Sequence, residues 1–144
     1  MANNVPKYLW KGLQSGRSYF VDGVDYTPDM VLADERRGIK FSFITDTRPI
    51  DTIPDFIKGS DLFVCEAMYG DDMDIGKAVK NKHMTFRESA SLAKKGDVGT
   101  LLLTHFSPSV DKPSNFIENA KSVFKNTVIG YDGIQIDIPY PECE

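Results

Sequence analysis

The chain has 144 residues, of which 41% are hydrophobic and 26% charged, with a net charge of −4. That length is enough to bury roughly 70% of the unfolded surface and to fold without disulfide or metal staples. No run approaches the ~18 apolar residues of a membrane span. The start, from Met1 to Lys7, lacks the apolar core of a secretion signal, so a cytoplasmic location is expected. The acidic balance argues against generic nucleic-acid binding over the whole surface. Cys65 lies in the apolar run Leu62-Phe63-Val64, where a buried, inert thiol is expected, and Cys143 is expected to fray with the C-terminus. Neither disulfide nor cysteine zinc site is indicated.

In chain order, residues 1–37 read as an irregular lead-in segment or linker with a short helical turn around Leu9 to Leu13. A long structureless stretch fits the interior of a longer protein better than the start of a domain. From Gly38 the pattern becomes regular. Ile39 to Asp46 alternates as a strand. Pro49 to Lys58 reads as a helix with Ile50, Ile53, Phe56 and Ile57 inward, stopped by Gly59. Asp61 to Cys65 is a continuous apolar run, as in a strand buried on both faces. Thr85 and Glu88 have the spacing of a capping box, predicting a helix from Thr85 to a left-handed stop at Gly96. Val98 to Leu103 is a strand. Phe116, Ile117, Ala120 and Phe124 recur at helical spacing. Thr127–Ile129 and Gly133–Ile138 read as closing strands. The alternation of strand and helix predicts an α/β layered fold.

Four chemistry-bearing residues fall at the junctions of these elements. Asp46 ends the first strand, Glu66 the second and His105 the third, while His83 stands just before the capped helix. Taken singly, each has an ordinary reading: a capping Asp, a surface His, a Glu paired to a nearby cation. Together they gather where α/β folds place their sites, at the carboxyl ends of strands. Imidazole and carboxylate donors suit zinc or manganese. The charges are also uneven. Lys77, Lys80, Lys82, Arg87, Lys94 and Lys95 form a basic stretch broken only by Glu88, readable as a solvated helix face or a phosphate-contacting patch.

Several motifs in order carry a resemblance. The strand ending Asp46-Thr47-Arg48-Pro49, the segment Cys65-Glu66-Ala67-Met68, the segment His83-Met84-Thr85 and the run Leu103-Thr104-His105-Phe106-Ser107 resemble the C-terminal half of the ribonuclease Z family. These are tRNA 3′-end endonucleases of the metallo-β-lactamase superfamily. The resemblance implies half of an αββα sandwich over residues 38–140: one mixed sheet with flanking helices. It implies a metal-dependent phosphodiesterase in which Asp46 and His105 are ligands of zinc or manganese. Glu66 and His83 would together protonate the leaving 3′ oxygen, and Arg48 would either hold its loop or meet substrate phosphate.

The family's principal metal motif, His-x-His-x-Asp-His, is not in this chain. Two ligands, Asp46 and His105, fall short of about four per zinc ion. Metal is therefore expected to bind weakly or not at all to the chain alone, and activity is expected to need a separate N-terminal half. A half sandwich would leave an apolar face around Phe41 and Phe43 open to water, so a homodimer or a complex with that missing half is expected. The alternatives are a non-catalytic, self-associating remnant and a related hydrolase with another substrate.

Overall fold

The computed structural model describes residues 5–33 and 37–140; Cys143 lies outside them. Two compact units meet in sequence at Gly38.

In the N-terminal unit, helix α1 (Lys7–Gln14) buries Leu9 and Leu13, four residues apart on one face. A hairpin follows, β1 (Tyr19–Val21) antiparallel to β2 (Val24–Tyr26). Its two-residue turn, Asp22-Gly23, has φ of 52° and 78°. Two positive φ values are what a type I′ hairpin turn requires, and Asp-Gly supplies them at low steric cost. Tyr19 lies over Gly12, where a Cβ would collide with the phenol ring. Val5, Leu9 and Leu13 form a small core with Trp10, Tyr19, Val21, Tyr26 and Val31 packed around it. The expected helical turn around Leu9 to Leu13 is present within α1, and the expectation of an otherwise irregular segment is corrected: this stretch also has a hairpin and its own apolar cluster.

The second unit is built on four parallel strands: β3 (Phe41–Ile44), β4 (Leu62–Glu66), β5 (Thr100–Thr104) and β6 (Thr127–Ile129). Their order in the sheet is their order in the chain. Crossovers between parallel strands are right-handed, so a sheet built in chain order carries all its helices on one face. Between the strands lie α2 (Ile53–Ile57), α3 (Ile75–Asn81), α4 (Phe86–Lys95) and α5 (Ile117–Lys121). Phe63, Cys65, Leu101 and Leu103 share one core with Ile53 and Ile57 of α2, Phe86, Ala90 and Ala93 of α4, and Ala120 of α5. Leu62, Val64 and Leu102 point to the other face. There they pack with Val128, Ile134, Ile136 and Ile138.

Several expectations need correction. Gly133 to Ile138 is not a strand; its isoleucines instead cover part of the second sheet face. Helix α2 is shorter than Pro49 to Lys58, and Ile50 and Phe56 face solvent rather than the core. Gly96 does not stop α4 through a left-handed conformation, since its φ is −81°; Asp97 takes that conformation, at φ 48°. Gly96 is needed for a close approach, because a Cβ there would lie 2.4 Å from Ile57. Helix α3 has no counterpart in the sequence reading. The capping box of Thr85 and Glu88 is present, and Gly59 is left-handed at φ 64°. Among the described residues, no helix is long and apolar enough to cross a membrane.

Candidate metal and proton-transfer site

Parallel register brings the candidate residues together. Glu66 is the last residue of β4 and pairs with Thr104, the last of β5. His105 follows Thr104, and Asp46 stands two residues beyond the end of β3. Adjacent strands lie about 4.8 Å apart, so three consecutive strand ends bring their side chains within reach of one another. Asp46 and His105 both have left-handed backbones, at φ 49° and 59°. Asp and His tolerate that region better than most residues, but it is strained for both. The strand ends turn sharply there, and Asp46 Oδ1 meets His105 Nε2 at 3.1 Å.

His83 reaches the same place from between two helices. Lys82 caps α3 in a left-handed conformation, and Thr85 caps α4. The His83 amide also donates to the Ala78 carbonyl at 2.9 Å. His83 Nδ1 lies 3.1 Å from Glu66 Oε1. Glu66 is fully buried. Its carboxylate accepts from the Thr47 amide at 2.7 Å and the Met84 amide at 3.1 Å, besides the imidazole. Since Met84 serves Glu66 through its backbone, a methionine side chain there leaves the contact intact. The His83 and His105 rings are 5.4 Å apart between centroids.

Arg48 is engaged by Glu88 and by a backbone carbonyl. Its guanidinium makes a two-pronged pair with the Glu88 carboxylate and donates to the His83 carbonyl. Glu88 also accepts from the Thr85 amide at 2.9 Å, so one carboxylate both caps α4 and ties down the Asp46 loop. Beside His105 an open cleft of about 530 Å³ is lined by Phe106, Tyr131 and Asp132 among others. Arg87 and Lys77 of the basic stretch pair with Asp72 and Asp74. Cys65 is buried, as expected, and burial pushes its thiol up to about 12.

Sequence reasoning found the three strand-end residues and His83 but missed two features. One is the place of His83 in the donor group: one ligand atom from each of Asp46, His83 and His105 lies within 4.8 Å of the others. The other is Glu88, whose pairing with Arg48 spans 40 positions and leaves no local signal.

No protein-family model matches the chain. It is 61% identical over 140 residues to ribonuclease Z of Clostridioides difficile strain 630, a match covering 97% of this chain and 46% of that protein. It is 58% identical to ribonuclease Z of Clostridium botulinum strain Alaska E43, over 92% of this chain and 42% of that protein. Among solved structures, human tRNase Z, short form, aligns with TM-score 0.57 at 26% identity, over 71% of this chain and 34% of that one. The metallo-β-lactamase fold protein YhfI from Bacillus subtilis aligns with TM-score 0.59 at 27% identity, over 65% and 38%. The chain spans about half the length of the curated relatives it matches. By sequence and by fold, it belongs to the ribonuclease Z family of metallo-β-lactamase proteins.

Proposed function

We propose that this chain is the C-terminal half of a metal-dependent phosphodiesterase that cleaves tRNA precursors at their 3′ ends, inactive until an N-terminal half completes its site. The observation that carries the reading is the convergence of Asp46, Glu66, His83 and His105 at neighbouring strand ends. Asp46 and His105 would hold a divalent cation, zinc or manganese, through a carboxylate and an imidazole that face each other directly. When bound, such cations lower the pKa of the attacking water and offset charge on the phosphodiester.

This chain's own residues supply the other half of the reaction. Glu66 holds His83 through Nδ1 and offsets positive charge on the ring. The remaining nitrogen passes a proton to the leaving 3′ oxygen as its bond to phosphorus breaks. Arg48 acts at one remove: its engagement by Glu88 and the His83 carbonyl supports a loop-holding role over phosphate contact. The segment up to Arg37 serves as the linker between the halves. The completing partner is a separate N-terminal half or a second copy. Exposed Phe41 and Phe43 on the edge strand support such a partner. The assembly works in the cytoplasm.

The test supplies an N-terminal ribonuclease Z piece carrying the missing histidine motif. The expected result is zinc- or manganese-dependent cleavage of a tRNA precursor, falling at least about 100-fold in Asp46→Ala and His83→Ala. A stable complex that cleaves nothing with either metal would overturn the proposal.

A further inference from the structure

The fourth strand of the sheet also ends beside the site, and its residues have no part in the reaction as proposed. β6 pairs with β5 through Leu103 and Ile129. Just beyond, the Gly130 amide donates to the Leu103 carbonyl at 2.8 Å. A Cβ on Gly130 would lie 2.7 Å from that carbonyl oxygen and 2.9 Å from the Thr104 methyl, so glycine lets the two strand ends close up. The chain then turns. The Ile134 amide donates to the Tyr131 carbonyl at 3.1 Å, and Gly133 has φ 87°. A positive φ at the third residue is what a type II turn requires. This turn sets Tyr131 and Asp132 along the cleft that His105 shares.

The chemistry of that cleft selects its occupant. At about 530 Å³ it falls within the roughly 300–1,000 Å³ of small-molecule sites. Tyr131 is 69% exposed, a large aromatic group with little covering it. Phe106, in ring contact with Phe86 at 5.5 Å between centroids, and Ile134 add apolar wall. Among the described residues no lysine or arginine lines the cleft, and Asp132 brings a carboxylate. A phosphate would therefore be repelled. An uncharged planar group is favoured, and a nucleobase of any kind stacks on an aromatic side chain.

We infer that Tyr131 is a base-stacking residue for the nucleotide on the 3′ side of the cleaved bond, the one that keeps the phosphate. This rests on the phosphodiesterase reading, which supplies the direction. β5 lies between β4 and β6 in the sheet. Glu66 and His83, which serve the leaving 3′ oxygen, stand on the β4 side of His105. The nucleoside bearing that oxygen lies toward them. As the bond from phosphorus to the 3′ oxygen breaks, phosphorus keeps its bond to the 5′ oxygen of the next nucleotide. The space for that nucleotide is on the β6 side, against Tyr131.

The full chain, completed by an N-terminal ribonuclease Z piece, is given tRNA precursors that lack one base, just after or just before the cleaved bond. Losing the base after the bond should lower kcat/KM about 5- to 150-fold, the worth of one base–aromatic stack. Tyr131→Leu should lower it equally on the intact precursor and no further on the one lacking that base. Tyr131→Phe keeps the stacking face and should stay within about twofold of wild type. Losses that multiply independently, or coupling of Tyr131 to the base before the bond, would overturn the inference. So would a Tyr131→Leu chain that captures the N-terminal piece less tightly in sedimentation, which would place the ring in that interface. Should the completed enzyme cleave nothing, the full chain alone decides. Adenosine 5′-monophosphate should move the Tyr131 ring ¹H resonances upfield and leave those of Tyr140 in place; unmoved Tyr131 signals refute the stack. A shift without cleavage defeats the phosphodiesterase reading and leaves Tyr131 a base-binding residue. Cleavage without coupling defeats only this inference.

Discussion

Asp46 and His105 hold their functional groups by accepting a backbone conformation that costs most L-residues roughly 1–2 kcal/mol. This has a measurable consequence. Asp46→Gly should be more stable to urea than Asp46→Ala by about 1 kcal/mol, although both remove the carboxylate. Equal stabilities would mean that position 46 is not left-handed in solution. Arg48 gives a second prediction. Arg48→Ala leaves Glu88 without its two-pronged partner and frees the His83 carbonyl, and the pair is about one-quarter exposed. The expected loss is about 1–2 kcal/mol, discounted for solvent screening, and Arg48→Lys should recover only part of it. Cys65 is a third case. With its thiol pushed up to about 12, it should resist iodoacetamide in the folded chain at pH 8.5 and react readily in urea, as read by peptide mapping.

Helices and strands differ in how much of themselves they reveal in sequence. β4 and β5 are continuous apolar runs because both of their faces are covered, and α4 is marked at its start by Thr85 and Glu88. Helix α3 escapes notice because Ile75 and Val79 are exposed while only Ala78 is buried, the reverse of the usual pattern. The Asp22-Gly23 turn was a legible hairpin signal, flanked by Val21 and Val24, but the strands around it are only three residues long. The isoleucines at 134, 136 and 138 alternate because one side is buried. Alternation says nothing of hydrogen-bonded pairing, and here there is none. The site divides similarly: strand-end positions can be read from the pattern, whereas the closeness of His83 to Asp46 and His105 and the Arg48–Glu88 tie exist only as distances in the fold. The α2–α4 contact offers a test at this scale. Gly96→Ala should cost about 1–3 kcal/mol by crowding Ile57, and most of that cost should vanish in an Ile57→Ala background, where thermodynamic coupling is the quantity measured.

For the Gly38–Tyr140 unit as a whole, one-sided helix packing means that the second sheet face depends on other cover. Ile134, Ile136 and Ile138 protect its middle, leaving Phe41 57% and Phe43 53% exposed at the β3 edge. The combined change Phe41→Ser and Phe43→Ser should reduce self-association or capture of an N-terminal half. Sedimentation at tens of micromolar measures this; unchanged association would place the contact elsewhere.

The order of the strands also bears on how the chain acquires its structure during synthesis. Each strand pairs with the one made just before it: Phe41 with Leu62, Leu62 with Thr100, Leu101 with Thr127. The sheet can therefore grow in one direction as the ribosome releases it, without waiting for a distant segment. A nascent chain released only as far as Ile129 already contains every strand pairing of this unit. The segment that follows Ile129 adds the isoleucine cover over the second face, so that face is shielded from chaperones and neighbouring chains only after the strands can pair.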